Sequence, residues 1–438
     1  MPNYKYGKIV NFYSILQLIG KFYATEDKMI NIAIMGHGVV GSGVAEILIN
    51  HNERIAKGVK RDINVKYILD LRDFDNLSYS DKFIKDFEII LNDDDVQVVA
   101  EVMGGLNPAY DFVKKCLLKG KSVVTSNKEL VAAKGAELIK IAQDNNVNFL
   151  FEASVGGGIP VLRPMVQCLS ANEIDEIWGI LNGTTNFILN KMIVDNMDFD
   201  SALKLAQDLG FAEKNPAADV EGHDACRKIC ILSALAFGKH VYPEQVKTEG
   251  ITDISLDDVE YADNFGYVIK LIGHAKKLEN GKITADVSPT LVSRECILSS
   301  VNGVFNCVMV NGDQTGEVAF YGKGAGKEAT ASAVVADIMD CIKHLSARKY
   351  LFWEDTADSF VDNEYDNYGK HYALIKSDDF DSLSSEFAAI FPTCDKVIKN
   401  EYAKEIAFIT KPDFESNIKN KISKFENVKS VKILHTMF

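Results

Sequence analysis

The first third of the chain alternates between two hydrophobic periods. Short runs rich in Val and Ile have the character of β-strands, and the stretches between them carry apolar residues at helical spacing. The strand-like runs are residues 30–35, 65–71, 96–102, 122–125 and 148–152, and the helical stretches are 42–50, 107–119 and 130–145. Strands that alternate with helices predict an α/β fold with a doubly wound parallel sheet.

A glycine-rich turn joins the first strand to the first helix. Its residues are candidate cofactor contacts: Gly36, His37, Gly38, Val39, Val40 and Gly41. The glycines allow a tight turn and a close approach of the backbone to a pyrophosphate, while the helix N-terminus offers free N–H groups. In its strand–turn–helix context the motif predicts a Rossmann-type dinucleotide-binding domain.

The end of the second strand carries two residues that favour different cofactors. Asp70 can accept a hydrogen bond from a ribose 2′-hydroxyl, which favours NAD. Arg72 can pair with a 2′-phosphate, which favours NADP. The sequence therefore leaves the choice between NAD and NADP open.

The next two strands are also followed by glycine and polar residues. Ligands of doubly wound sheets bind at the carboxyl ends of the strands, so Gly104 and Ser126 are candidate cofactor contacts. Lys128 follows in the first turn of a helix, where its charge opposes the helix dipole. This position favours a functional lysine over an exposed and idle one.

The window 211–228 concentrates charged residues in front of an apolar helix. Asp224 and Lys228 are four residues apart, so they lie on one face of a helix that begins near His223. Because this helix is apolar on most sides, we expect it to be buried. A lysine held near the N-terminal end of a buried helix indicates a functional role, and the nearby carboxylates could bind an ammonium group. The alternative is an ion pair on a solvated helix face, worth a few tenths of a kcal/mol.

Two other segments of the middle region have candidate roles. Three successive glycines at 156–158 follow Glu152 and could hold a hard cation through carbonyl oxygens, although residue chemistry by itself favours a simple linker. A polar run suits the wall of a substrate pocket and includes Asn182, Gly183 and Thr184.

A second glycine-rich loop occupies residues 320–327 and includes Gly326, another candidate cofactor contact. It opens a helix of small residues at 329–342. Small residues permit close packing, so we expect this helix to return to the nucleotide domain.

Residues 371–438 read strand, helix, strand, strand, helix, strand. This order predicts a C-terminal ferredoxin-like unit, and it resembles an ACT regulatory domain. ACT domains often bind an amino acid at a glycine-containing turn after the first strand, but the corresponding turn, 377–382, has no glycine. Feedback regulation by an amino acid and a docking or dimerisation role are both open.

The composition limits the possible partners. The chain of 438 residues has a formal net charge of −14 and no long basic tract, which argues against nucleic acid and anionic membranes. The stretch 9–24 is too short and too polar to span a bilayer. The eight cysteines are scattered without a Cys-x-x-Cys pair or zinc spacing, which indicates a reduced, cytoplasmic protein.

Most of the chain, residues 29–345, resembles the homoserine dehydrogenase family. The resemblance rests on seven segments in the family's order: residues 36–43, 101–105, 124–128, 152–160, 179–186, 213–228 and 321–326. It implies an NADP- or NAD-dependent enzyme that reversibly reduces L-aspartate 4-semialdehyde to L-homoserine. It also implies an α+β substrate-binding and dimerisation domain, and a homodimer or homotetramer.

The resemblance assigns roles to the candidate residues. Lys228 becomes the acid/base, Asp224 its orienting partner, and Lys128 a lysine close to the substrate. Glu213 and Asp219 become the residues that hold the substrate ammonium. The family also holds a structural sodium ion, and the matching positions are Glu152, Val155, Gly157 and Ile159.

Five segments are expected along the chain. They are an N-terminal extension at 1–28, a Rossmann domain at 29–152 completed by about 321–345, a substrate domain at 153–320, a linker at 346–370 and the ACT-like domain at 371–438. Met29 directly precedes the first strand, so we expect the extension to come from an upstream start codon. Two other functions fit the pattern: a nucleotide-binding sensor without turnover, and another Rossmann oxidoreductase acting on a small hydroxy compound.

Overall fold

The structure, a computed structural model, describes residues 29–345, 351–356 and 360–437. The expected extension at 1–28 therefore lies outside the described residues, as do residues 346–350 and 357–359 of the expected linker. Among the described residues, every helix is too short or too polar to cross a lipid bilayer.

The first domain contains a parallel sheet of six strands in the order β3-β2-β1-β4-β5-β6. The strands are β1 Ile30–Met35, β2 Ile63–Leu69, β3 Phe83–Ile84, β4 Val96–Glu101, β5 Ser122–Thr125 and β6 Phe149–Leu150. The helices are α1 Val39–Asn50, α2 Asn52–Val59, α3 Phe87–Asn92, α4 Ala109–Leu118 and α5 Lys128–Asp144. The strand order reverses between β1 and β4, which opens a crevice for a ligand at their carboxyl ends. The predicted doubly wound sheet is confirmed.

The middle domain is built on a mixed sheet. Its strands are β7 Ile174–Ile180, β8 Lys247–Thr248, β9 Tyr267–Lys277, β10 Ile283–Ser293, β11 Phe305–Gly312 and β12 Gly316–Lys323. Its helices are α6 Leu162–Gln167, α7 Gly183–Asp195, α8 Phe199–Asp208, α9 Ala217–Val220, α10 His223–Phe237 and α11 Leu256–Asn264. As the sequence predicts, α10 begins at His223 and is buried on most sides. Before α10, the one-turn helix α9 forms with Pro216 as its N-cap.

A returning helix, α12 Lys327–Lys343, packs against α1 of the first domain. Its buried residues Ala331, Val334 and Ile338 share one hydrophobic cluster with Ile32 and Val44. The two helices approach closely because Gly43 has no side chain: a Cβ atom there would lie 2.9 Å from the Cβ of Ala331. Small residues thus allow the helix that follows the second glycine-rich loop to pack closely on the nucleotide domain.

The tail contains the four strands and two helices that the sequence predicts, with small shifts at their ends, and the two-residue strands Tyr368–Gly369 and Asp413–Phe414 in addition. Its strands are β13 Tyr368–Gly369, β14 His371–Ser377, β15 Lys396–Asn400, β16 Glu405–Ile409, β17 Asp413–Phe414 and β18 Val428–Met437, and its helices are α13 Phe380–Ile390 and α14 Glu415–Ile422. The order β18-β14-β16-β15 with antiparallel pairing is the ferredoxin-like arrangement. On its outer side β18 pairs in parallel with β10, so the tail extends the middle sheet to ten strands.

The segment 351–356 packs between the first two domains. Trp353 is buried and donates its indole N–H to Nδ1 of His240, over 2.9 Å. Since Nδ1 accepts that bond, Nε2 carries the proton and donates to the carbonyl oxygen of Ala132, 3.0 Å away. Gly135 leaves room for the indole, because a Cβ atom there would lie 2.7 Å from its ring.

Candidate active site

The nucleotide turn lies between the end of β1 and the start of α1. Gly36 has a positive φ of 98°, and a Cβ atom on Gly41 would lie 2.0 Å from the carbonyl oxygen of Gly36, so both positions require glycine. Gly38 is exposed at the N-cap of α1, and Val39 is 70% exposed beside it. The turn therefore presents backbone and the positive end of a helix dipole to solvent, as a pyrophosphate site needs.

His37 supports the turn from below. Its ring is buried against Phe74 and Phe83, with centroids 4.6 and 4.9 Å away, and lies 3.2 Å from the hydroxyl of Tyr79. Burial lowers the pKa of His37. The side chain is therefore neutral at pH 7 and structural in character, while its backbone belongs to the turn.

Asp70 and Arg72 form a close pair directly after β2. The guanidinium donates to both carboxylate oxygens of Asp70 (3.0 and 2.9 Å), and the backbone N–H of His37 donates to the same group (2.9 Å). The Arg72 guanidinium holds the pKa of Asp70 well below its usual range. The side chain of Arg72 is nevertheless 63% exposed, so its outer face is available to a ligand.

Glu101, which the sequence reasoning did not single out, organises the ends of β4 and β5. Its buried carboxylate accepts hydrogen bonds from the backbone N–H groups of Met103 and Gly104 (2.9 and 3.3 Å) and from the hydroxyl of Thr125 (2.6 Å). Burial raises the pKa of Glu101. These bonds fix the turn at Gly104 beside the half-buried Ser126. The signal in the sequence that could have identified Glu101 is the presence of an acidic residue at the end of an apolar strand.

Lys228, Asp224 and Lys128 form the centre of the site. Nζ of Lys228 lies 2.8 Å from Oδ2 of Asp224, and Nζ of Lys128 lies 2.6 Å from Oδ1. Lys228 also donates to the carbonyl oxygen of Leu181 over 2.7 Å, a partner that the sequence did not indicate. The first turn of α5 and the first two turns of α10 thus bring two lysines to opposite sides of one carboxylate.

Asn182 connects the cluster to the polar run. Its side-chain amide donates to Asp219 (2.7 Å) and to Asp224 (2.8 Å), while its carbonyl oxygen accepts the backbone N–H of Thr185 and caps α7. Asn182 therefore binds both aspartates and caps the N-terminus of α7, so it fixes the position of the two carboxylates relative to that helix.

Burial and charge shift the pKa values within the cluster in opposite directions. Burial lowers the pKa of Lys228 in spite of the facing Asp224. Burial by itself would also lower the pKa of Lys128, but the charge of Asp224 outweighs it and the net shift is upward. Burial raises the pKa of Asp219, whereas Lys228 and Lys128 overcome the burial of Asp224 and hold its pKa low. Of the two lysines, Lys228 is the one suited to exchange a proton.

The other predicted substrate residues lie at the rim. Thr184 donates its hydroxyl to the carbonyl oxygen of Phe211 over 2.7 Å, which anchors the window to α7. Gly183 is required there because a Cβ atom would lie 2.7 Å from the carbonyl oxygen of Val304. The side chain of Glu213 is exposed and has no hydrogen bond or ion pair among the described residues. The structure thus brings Asn182 and Asp219 to the lysines and leaves Glu213 free.

The triple-glycine loop lies against the second glycine-rich loop. A Cβ atom on Gly157, whose φ is 56°, would lie 2.3 Å from the carbonyl oxygen of Gly324. The carboxylate of Glu152 accepts three backbone N–H groups at the start of α6 (2.7, 2.8 and 2.7 Å). The carbonyl oxygens of Val155, Gly157 and Ile159 accept no hydrogen bond from any described residue. Unpaired carbonyls in one turn suit a hard cation.

The comparisons with known proteins agree in their result. The family model for the NAD binding domain of homoserine dehydrogenase matches residues 36–152, and the homoserine dehydrogenase model matches residues 160–339. The homoserine dehydrogenase of Bacillus subtilis is 37% identical over 430 residues, which cover 92% of this chain and 97% of the relative.

Solved structures are similar over comparable lengths. A homoserine dehydrogenase from Thiobacillus denitrificans superposes with a TM-score of 0.87 at 34% identity, over 94% of this chain and 98% of that one. A hyperthermophilic archaeal homoserine dehydrogenase mutant in complex with NADPH superposes with a TM-score of 0.62 at 29% identity, over 72% of this chain and 98% of that one. On the sequence matches and on the fold, this chain belongs to the homoserine dehydrogenase family.

Proposed function

We propose that the protein is a homoserine dehydrogenase that catalyses the reversible NAD(P)-dependent reduction of L-aspartate 4-semialdehyde to L-homoserine, in threonine, methionine and isoleucine biosynthesis. One observation carries the proposal: a buried lysine, Lys228, shares Asp224 with a second lysine, Lys128, in a chain of this family. A purely sensory protein has no need for a lysine with a lowered pKa in a substrate cleft.

Lys228 is the proposed acid/base. Hydride transfer in either direction is the chemistry that a bound nicotinamide cofactor would supply. In reduction the ammonium of Lys228 donates a proton to the developing alkoxide oxygen, and in oxidation the neutral amine removes the proton from the hydroxyl. The lowered pKa of Lys228 brings both forms nearer to neutral pH.

The neighbouring residues divide the remaining work. Asp224 orients Lys228, and Lys128, whose raised pKa keeps it charged, stabilises negative charge on the substrate. Asp219 and Glu213 hold the substrate ammonium. The N-terminus of α7, with Asn182, Gly183 and Thr184, forms the pocket wall.

For the cofactor we propose a preference for NADP(H). The supporting observation is the exposed guanidinium of Arg72, which Asp70 holds beside the nucleotide turn. Both oxygens of Asp70 are already engaged, which makes this carboxylate a poorer acceptor for a ribose hydroxyl. The backbone of residues 36–41, Gly104, Ser126 and Gly326 completes the proposed cofactor site.

A structural sodium ion at the triple-glycine loop is part of the proposal. The unpaired carbonyl oxygens of Val155, Gly157 and Ile159 support it. Because the carboxylate of Glu152 is engaged by α6, this residue is expected to contribute through its main chain. The ion would hold the two glycine-rich loops together.

The expected organisation completes the proposal. It comprises a cytoplasmic homodimer or homotetramer, a Rossmann domain at 29–152 completed by 321–345, a substrate domain at 153–320, a linker at 346–370 and an ACT-like tail at 371–438. The ferredoxin-like strand order supports the last of these. Light scattering of the full chain measures the oligomeric state.

The test of the function is reduction of NADP⁺ or NAD⁺ by L-homoserine at alkaline pH, followed at the nicotinamide absorbance. We expect turnover with both cofactors and a higher kcat/KM with NADP⁺. N-acetyl-L-homoserine, which lacks the ammonium group, serves as a matched control and should react poorly. If folded protein binds cofactor but does not oxidise L-homoserine with either NADP⁺ or NAD⁺, the proposal is wrong and a sensor is favoured.

A further inference from the structure

Three potential metal ligands converge in the tail, away from the dehydrogenase site. His371 on β14, Glu415 at the first position of α14 and His435 on β18 each offer a ligand atom, and these atoms lie within 4.8 Å of one another. Ligands of a Zn²⁺ ion lie about 2.0–2.2 Å from the metal and hence about 3.4 Å from each other. Ligation therefore requires the three side chains to draw closer together around the ion.

The backbone fixes the three residues in this arrangement. His371 and His435 are direct partners in the antiparallel β14–β18 pair, and their ring centroids are 5.5 Å apart. The backbone N–H of Glu415 donates to the carbonyl oxygen of Asn367 over 2.9 Å, which holds the start of α14 beside the strands. Sites supported by strands and helix ends keep their ligands in place without a large entropy cost.

The surroundings of the side chains suit a bound metal. His371 is 1% exposed, and its ring lies beside that of His435. Its Nδ1 has no hydrogen-bond partner among the described residues, which is rare for a buried polar atom. One oxygen of Glu415 pairs with Lys419 over 2.5 Å, and the other faces Nε2 of His435 at 4.0 Å. Lys419 would therefore orient the ligand carboxylate from outside.

A cleft of about 420 Å³ borders two of the three residues, Glu415 and His435. Glu415 and His435 line it on the tail side, and Asp286 and Lys247 line it on the side of the middle domain. The cleft offers an entry path and room for a water molecule as an additional ligand.

We infer that His371, Glu415 and His435 form a binding site for a divalent transition-metal ion of the Zn²⁺ class. Two imidazoles and one carboxylate favour such an ion over Mg²⁺ and Ca²⁺, which prefer oxygen ligands alone. His435 also pairs with Thr290 of β10. A bound ion therefore stiffens the junction between the tail and the middle domain, and it takes no part in the proposed dehydrogenase reaction.

The experiment uses full-length protein stripped of metal with EDTA and titrated with ZnCl₂ against a chromophoric chelator. We expect the wild type to bind one tight equivalent that His435→Gln and Glu415→Gln lose, with affinity falling by at least the roughly 10- to 100-fold that outer-shell changes cause. His51→Gln, which removes an exposed histidine of the first domain, should retain the equivalent. All variants should keep the wild-type dehydrogenase rate, which also reports that they are folded.

Co²⁺ provides a spectroscopic check that needs no variant. Its absorption in the wild type should show nitrogen and oxygen ligation without thiolate charge-transfer bands. Equal Zn²⁺ stoichiometry and affinity in the wild type and both variants would overturn the inference. Thiolate bands would also overturn it, because they would place the ion on some of the free cysteines.

Discussion

Two aspartate–cation pairs of the proposed site have similar geometry, one in the middle domain and one in the nucleotide domain. Lys228 and Asp224 are 2.8 Å apart with the lysine side chain 8% exposed, whereas Arg72 and Asp70 are 2.9 Å apart with the arginine side chain 63% exposed. The pKa of Lys228 is lowered by burial despite its partner, while the pKa of Arg72 is raised by its partner. Burial, and not pairing alone, decides whether such a pair prepares a group for proton transfer.

The two pairs are suited to different roles. A buried lysine with a shifted pKa can change its charge during a reaction, so its loss should affect kcat. An exposed guanidinium keeps its charge under all conditions and serves as a fixed binding group, so its loss should affect the affinity for one cofactor. Four measurements test this division.

The largest effect is expected for Lys228→Met. This change removes the proposed proton carrier, and kcat should fall about 10²- to 10⁴-fold in both directions while the Kd for NADPH is unchanged. The matched control is Lys191→Met, which removes the lysine of an exposed pair with Asp195, also 2.8 Å and four residues apart. Steady-state rates and fluorescence titration supply the data. A near-wild-type rate for Lys228→Met would show that another group handles the proton.

The next effect concerns Asp224→Asn. Asp224 raises the pKa of Lys228, so its neutralisation lets that pKa fall further. In the proposed mechanism homoserine oxidation needs the neutral amine of Lys228, and the rising limb of its pH–rate profile should therefore move to lower pH, by about one unit or more. Breaking a buried pair should also cost about 3–5 kcal/mol in the free energy of unfolding, measured with urea. Asp195→Asn is the control. If the rising limb of the pH–rate profile does not move in Asp224→Asn, Asp224 is not a positioning residue for Lys228.

A smaller effect, confined to one cofactor, is expected for Arg72→Ser. A charge-assisted hydrogen bond contributes about 1.5–3 kcal/mol, so the KM for NADPH should rise about 10- to 100-fold while the KM for NADH changes little. Arg294→Ser, which breaks an exposed pair with Asp263, is the control. Equal changes with both cofactors would contradict the proposed contact to the 2′-phosphate.

The smallest effect should come from ionic strength. Raising KCl from about 0.1 M to about 1 M shortens the screening length from about 10 Å to about 3 Å. The KM for NADPH should rise severalfold because Arg72 is exposed, and kcat at saturating cofactor should stay constant because the Lys228 pair is buried. A kcat that follows the salt concentration would mean that the buried pair is open to solvent during turnover.

The sequence predicts the locally determined parts of this molecule well. The glycine turn, the alternating strands and the start of α10 at His223 depend on residues close in the chain, and the structure confirms them. Strand β9 was not predicted, because its buried run includes Lys270 and Gly273, which interrupt the hydrophobic pattern.

Contacts between distant segments are the part that the sequence could not provide. The shared use of Asp224 by Lys128 and Lys228 depends on how α5 packs against α10. Asn182 lies outside the window 211–228 but contacts two aspartates within it, and these contacts also depend on the packing of distant segments. Only the tertiary arrangement shows such contacts, since no local period encodes them.

The pairing of β18 with β10 has a consequence for synthesis on the ribosome. Residues 290–292 of β10 can pair with β18 only after residues 435–437 have been translated. At about 5–20 residues per second this takes roughly 7 to 30 seconds longer. Until then this edge presents unpaired N–H and C=O groups to other nascent chains, which is a route to aggregation. A stop codon before β18 would make this temporary exposure permanent, so the last strand protects the solubility of everything made before it.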